Sequence, residues 1–120
     1  MKLLKTIFGS SENRGKVTHI TSAEAKNRLN SSQPPFILDV RQPNEFQSGH
    51  IMGAKLIPLG ELSARMDELP KDTEILCVCR SGGRSSAAAR QLSAAGYNVL
   101  NLDGGMMAWQ SAGYPVKQRK

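Results

Sequence analysis

The nine residues from Cys77 to Ser85, Cys-Val-Cys-Arg-Ser-Gly-Gly-Arg-Ser, restrict this chain more than any other stretch. Just before them, Glu74-Ile75-Leu76-Cys77-Val78 is short, mostly apolar and partly β-branched, the pattern of a buried strand. Just after them, Ser85-Ser86-Ala87-Ala88-Ala89-Arg90-Gln91-Leu92 is rich in alanine and reads as a helix. The loop Arg80-Ser81-Gly82-Gly83 must therefore carry the chain from the end of a strand to a helix N-terminus, with Cys79 at the junction.

That placement has a chemical consequence. The first N–H groups of a helix lack internal partners, and the helix dipole puts partial positive charge at that end. Gly82 and Gly83 let the backbone curl so that several N–H groups aim at one point. Arg80 and Arg84 add full charge, and no acidic residue lies between Glu74 and Asp103. A thiol in such surroundings loses its proton more readily than a free one, because the thiolate is the form they stabilise. The expectation is an exposed sulfur nucleophile in a cationic cup.

The other segments read as alternating strands and helices. Val17–Ile20 is the first strand. Thr21-Ser22-Ala23-Glu24 has capping-box spacing, with Ala25 and Leu29 on one face of the helix behind it. Phe36-Ile37-Leu38-Asp39-Val40 lacks alternation and reads as a strand buried on both faces. Pro43 opens a short helical turn, with Phe46 expected to pack inward. Lys55-Leu56-Ile57-Pro58 is the third strand. Leu62, Met66 and Leu69 fit one amphipathic helix over 61–69, stopped by Pro70. Gly96 caps the helix after the cysteine loop. Asn98–Leu102 is the last strand, and Met106–Ser111 the last helix. This alternation predicts an α/β fold, a parallel sheet covered on both sides.

A chain of 120 residues suits one domain. The net charge of +6 looks like an invitation to nucleic acid until it is located. Lys2, Lys5, Arg14 and Lys16 against Glu12 put it at the head, and Lys117, Arg119 and Lys120 at the tail. The residues between are balanced, and Phe8 is the only aromatic residue in either tail, so nucleic-acid binding is not expected. The reading is a basic extension over 1–16, a domain over 17–116 and a basic tail over 117–120. No apolar run approaches the about 20 residues of a membrane span, nor a secretory leader, so a cytoplasmic protein is expected.

Cys79-Arg80-Ser81-Gly82-Gly83-Arg84-Ser85 resembles the active-site loop of the rhodanese-like sulfurtransferases. The likeness runs from about Val17 to Val116. Leu38-Asp39-Val40-Arg41, Glu45-Phe46, Gly49-His50-Ile51-Met52-Gly53-Ala54 and Ile57-Pro58 match the family's first half. Leu102-Asp103-Gly104-Gly105, Ala108-Trp109 and Ala112-Gly113-Tyr114-Pro115-Val116 match its closing segment. The resemblance implies a three-layer fold around a parallel sheet of about five strands. It also implies transfer of sulfane sulfur from a donor such as thiosulfate, through a Cys79 persulfide, to cyanide, a thiol or another protein's cysteine. Arg80, Ser81, Gly82, Gly83, Arg84 and Ser85 would cradle the persulfide, the two arginines would hold an anionic donor, and a second role open to Arg84 is to brace the loop. No metal or organic cofactor is called for, and a monomer is expected.

Asp39 and Arg41 straddle Val40 at the carboxyl end of a strand. They either shape the rim of the site or form a buried ion pair, the second being favoured. His50 reads as a structural histidine and His19 carries no signal. Cys77 reads as inert core, because residues two apart on a strand lie roughly 6.6–6.8 Å between Cα atoms, at the edge of disulfide geometry. Two cysteines and two distant histidines match no zinc spacing. Met107 and Trp109 read as packing residues. Two other readings stay open. Cysteine phosphatases and arsenate reductases also place a thiolate and an arginine in a strand-to-helix loop, but with five intervening residues, against the four between Cys79 and Arg84. Rhodanese-like domains also serve as non-catalytic binding modules, a role against which the intact Cys79 and glycine loop count.

Overall fold

The computed structural model describes residues 15–118, so most of the basic head and the last two basic residues lie outside the description. Five strands, β1 (Val17–Ile20), β2 (Phe36–Asp39), β3 (Lys55–Leu56), β4 (Ile75–Val78) and β5 (Val99–Leu102), form one sheet in the order β1-β5-β4-β2-β3. Every pair is parallel. The strand that delivers Cys79, β4, is thus the centre of the sheet, hydrogen-bonded on both sides and buried at all four residues.

Its alternation sorts the core into two layers. Ile75, Cys77 and Cys79 face α4 (Gly83–Ala94) and pack with Ala88, Ala89 and Leu92. Leu76 and Val78 face the other way and pack with Ala25 of α1 (Ser22–Leu29) and with Met106 and Trp109 of α5 (Gly105–Ser111). A central parallel strand must be apolar on both faces because helices cover both, which is why β4 reads as a continuous apolar run. The Thr21–Glu24 capping box forms, with Glu24 N–H donating to Thr21 Oγ1 at 3.1 Å and Thr21 N–H to Glu24 Oε1 at 2.8 Å.

Three expectations need correction. The strand read over 55–58 pairs in the sheet only at Lys55 and Leu56; the Ile57 N–H still donates to the Asp39 carbonyl at 3.0 Å, but Pro58, with φ of −54°, then turns the chain into a 3₁₀ segment. The helix read over 61–69 is a 3₁₀ turn (Leu59–Glu61), one α-turn, α3 (Leu62–Arg65), and a second 3₁₀ turn (Met66–Glu68). So short a segment is a marginal helix alone, and the Tyr97 hydroxyl takes the Met66 carbonyl at 3.2 Å. The apolar ridge still points inward, with Leu62 and Leu69 buried. Phe46, on α2 (Pro43–Ser48), joins neither core layer; its ring stacks on His50 at 3.7 Å. No helix among the described residues is long and apolar enough to cross a membrane.

Candidate active site

Cys79 lies one residue beyond β4, at the carboxyl edge of the sheet, where open α/β sheets place their sites. The chain then turns sharply into α4. Gly82 makes that turn possible: its φ of 114° is in the left-handed region that a side chain resists. The turn folds the start of α4 back over the sulfur, so that Gly82 N–H donates to Cys79 Sγ at 3.1 Å. Burial pushes the Cys79 pKa up, but the polar Ser85 side chain and the N–H groups of Ser85, Gly82 and Ser81 outweigh it. The net direction is down from the ordinary thiol value. A twelve-residue helix pointing its N-terminus at the sulfur acts in the same sense.

This corrects one expectation. Cys79 is not exposed; only 1% of its surface meets solvent. The same loop amides that stabilise a thiolate also cover it, since N–H groups within hydrogen-bond reach of a sulfur leave little room for water. The sulfur lies at the floor of the loop, with Arg80, Ser81 and Gly83 exposed above it.

A family model described as a rhodanese-like domain matches residues 21–112, which takes in strands β2 to β5, the loop and α5. The chain belongs to that family. A sulfurtransferase of Allochromatium vinosum is 39% identical over 101 residues, covering 83% of this chain and 94% of the relative. The thiosulfate sulfurtransferase GlpE of Pseudoalteromonas translucida is 35% identical over 95 residues, covering 78% of this chain and 90% of the relative. Among solved structures, a rhodanese-like domain protein from Staphylococcus aureus superposes with a TM-score of 0.78 at 35% identity, covering 86% of this chain and 99% of the other. Relatives named for sulfur transfer support a sulfur-transfer role for this rhodanese-like domain.

The two arginines of its loop are not equivalent. Arg84 forms a two-point pair with Glu45 of α2, Nη1 to Oε1 at 2.7 Å and Nη2 to Oε2 at 2.8 Å. The hydrogen bond from Arg84 holds the Glu45 carboxyl at about 2, well below its ordinary 4.5. Arg84 is therefore a brace between α2 and α4 with its charge already matched, not a free anion holder. Arg80 is exposed and has no ion-pair partner among the described residues. With Met106, Met107 and Gln110 it lines a cleft of about 200 Å³ beside the loop. Met107, expected to pack, is 50% exposed there, while Met106 and Trp109 take the inner side of α5. A larger, mostly apolar cavity of about 630 Å³ lies at the far end of the sheet, against Pro35, Phe36 and Thr73; no loop residue lines it.

Asp39 and Arg41 form a buried ion pair, Nη2 to Oδ2 at 2.7 Å, and Arg41 also donates to the Gly49 carbonyl at 2.8 Å. They tie the end of β2 to the end of α2, which positions Glu45 for its pair with Arg84. His50 is buried, its Nδ1 2.7 Å from the Phe46 carbonyl, and pairs through its backbone with Lys117. Cys77 is wholly buried, and burial, with the neighbouring Cys79 adding to it, raises its pKa.

Two supports of the loop were not foreseen. Met106 N–H donates to the Cys79 carbonyl at 2.8 Å and Met107 N–H to the Arg80 carbonyl at 3.0 Å, so the start of α5 holds the loop from behind. Gly105 permits the approach, because a Cβ there would lie 2.4 Å from the Cys79 carbonyl oxygen. The paired glycines at 104 and 105 were the available signal. The second support is Asn101, a buried amide on β5 that accepts the Ser85 hydroxyl at 2.6 Å. Its signal was a lone polar residue in an apolar strand.

Proposed function

We propose that this rhodanese-like domain moves sulfane sulfur through a persulfide on Cys79. The Cys79 thiolate attacks the outer sulfur of a donor such as thiosulfate. A new S–S bond forms as the donor's own S–S bond breaks, and sulfite leaves with the bonding pair. The outer sulfur of the persulfide then carries negative charge, which the loop N–H groups are placed to receive. A thiophilic acceptor (cyanide, a thiol or another protein's cysteine) attacks that sulfur and returns the thiolate. Arg80 offers the free positive charge for an anionic donor, and no metal or organic cofactor enters the cycle.

The observation that carries this reading is the Gly82 N–H donating to Cys79 Sγ at 3.1 Å at the junction of β4 and the N-terminus of α4, in surroundings that lower the thiol pKa. Asp39 and Arg41 serve it at a distance, as the pair that fixes α2. Incubation with thiosulfate should add the mass of one sulfur atom to Cys79, and Cys79→Ser should abolish both that gain and turnover. Transfer retained in Cys79→Ser, or steady hydrolysis of an aryl phosphate with no sulfur gained from thiosulfate, would overturn it.

A further inference from the structure

Three large apolar side chains stand exposed among the described residues, and two of them, Met52 and Val116, share one place. They rim the mostly apolar cavity of about 630 Å³ at the amino end of the sheet. Its walls include Leu29 of α1, Pro35 and Phe36 at the start of β2, and Trp109 of α5. Contiguous apolar surface of this kind marks a place that something covers. The cavity has room for several side chains.

The basic head joins the fold at the same end. Gly15 N–H donates to the Ser93 carbonyl at 2.7 Å and Lys16 N–H to Asn98 Oδ1 at 3.0 Å, which fixes the chain just ahead of β1. From there a short run of neighbours leads to the cavity. Lys16 shares a small cleft with Thr18 and Glu74, Glu74 pairs with Arg28 of α1, and Thr73 beside it lines the cavity wall. At about 4.8 Å per strand, the three spacings from β1 to β2 come to about 14 Å. The seven residues between Phe8 and Lys16 can span up to about 23 Å. Their sequence, Gly-Ser-Ser-Glu-Asn-Arg-Gly, has the composition of a polar linker.

Ahead of that linker, Leu3, Leu4, Ile7 and Phe8 fall at the spacing of one helical face, with Lys2 and Lys5 beside them. The apolar set suits the apolar walls. At the rim, next to Thr73, Asp72 is exposed and has no ion-pair partner among the described residues, so it offers a lysine its counter-charge. The rim's own Lys26 lies over the Tyr114 ring, 5.9 Å from its centre. A segment tethered by a short linker meets its site at an effective concentration in the millimolar range, which a free partner has to exceed. We propose that the first eight residues of this chain dock in the cavity through Leu3, Leu4, Ile7 and Phe8, so that the head covers the end of the molecule opposite Cys79. The inference stands apart from the sulfur-transfer reading, since it uses no residue of the cysteine loop.

Disulfide trapping tests it in the full chain carrying Cys79→Ser, which leaves only the buried Cys77. Thr6→Cys is paired either with Met52→Cys, at the cavity rim, or with Arg90→Cys, exposed on α4 one turn from the Ser93 that holds Gly15. A head that does not dock reaches the second position as readily as the first. Under oxidised glutathione, with the bonds read by mass spectrometry, the link to position 52 should form at least about tenfold faster than the link to position 90. Adding Ile7→Asp and Phe8→Asp should bring the first rate down to the second. Equal rates at the two positions, or a rate at position 52 that the aspartates leave unchanged, overturns the proposal. Linked dimers that grow with protein concentration, in place of the link within one chain, would give the cavity to a second copy and overturn it as well.

Discussion

The two cysteines are two residues apart on one face of one strand, yet their surroundings push them in opposite directions. Cys77 is ringed by core side chains and offered no donor, so burial raises its pKa. Cys79 suffers burial too, but the polar Ser85 side chain and the N–H donors of the loop reverse the net direction. In the folded protein, mass spectrometry after limited alkylation should therefore find label on Cys79 and none on Cys77. A thiol whose folded pKa lies below its unfolded value remains a thiolate at lower pH in the native state. The alkylation midpoint of Cys79 should accordingly lie at lower pH in the native protein than in the denatured chain. By the same linkage, this group stabilises the fold fully above the unfolded thiol pKa, and that contribution is lost as pH falls through the folded one. A native midpoint at or above the denatured one would contradict the converging donors. The place of Cys79 at the junction of β4 and α4 was legible because glycine, arginine and helix propensity are local signals. Its burial was not, since coverage depends on how far the start of α4 folds back.

Among the elements, the loop is gripped from two sides, by α2 through Glu45–Arg84 and by α5 through the Cys79 and Arg80 carbonyls. Glu45→Gln should lower stability by on the order of 1 kcal/mol, a figure discounted because the Arg84 side chain is 36% exposed. The sign with pH is fixed. Glu45 titrates at about 2 when folded against 4.5 ordinarily, so its contribution is whole above 4.5 and lost as pH falls towards 2. The stability difference between wild type and Glu45→Gln, read by urea unfolding, should shrink over that window. Gly105→Ala should act more severely, because its Cβ would meet the Cys79 carbonyl at 2.4 Å and its φ is 56°. A loss of more than about 2 kcal/mol is expected, together with a slowed Cys79 alkylation as the loop is displaced. Local reading found these elements and most of their bounds, but neither grip. Glu45 and Arg84 are 39 residues apart, and no periodicity links positions that only the packing of α2 beside α4 brings together. The segment over 61–69 failed for a related reason: its apolar spacing fits a helix, but so short a segment takes its shape from the distant core against which Leu62 and Leu69 pack.

At the scale of the whole molecule, strand order explains why one cysteine can be reached by so many supports. With β4 central, both core layers and four of its neighbouring elements converge on the carboxyl end of one strand. That arrangement was legible as alternating strands and helices, whereas the closure of its far side was not. There the residues after α5 fold back as a strap. Trp109 Nε1–H donates to the Pro115 carbonyl at 2.9 Å, the Tyr114 ring packs edge-on to Trp109 at 5.0 Å, and Lys117 pairs with the His50 backbone. The strap covers the α1–α5 layer, and among the described residues none of its hydrogen bonds goes to the cysteine loop, which separates stability from chemistry. A chain ended after Gly113 should lose the packing of Tyr114 and four hydrogen bonds, on the order of 2–4 kcal/mol. Its melting temperature should drop accordingly. Where the shortened chain is still folded, however, Cys79 should alkylate with an unchanged pH midpoint, because every donor to its sulfur comes from residues 81–85. A midpoint that moved with the truncation would mean that the strap reaches the loop through α5, whose Met106 and Met107 N–H groups hold the Cys79 and Arg80 carbonyls. The comparison with Gly105→Ala decides between these routes, since that substitution disturbs the α5 contact and leaves the strap in place.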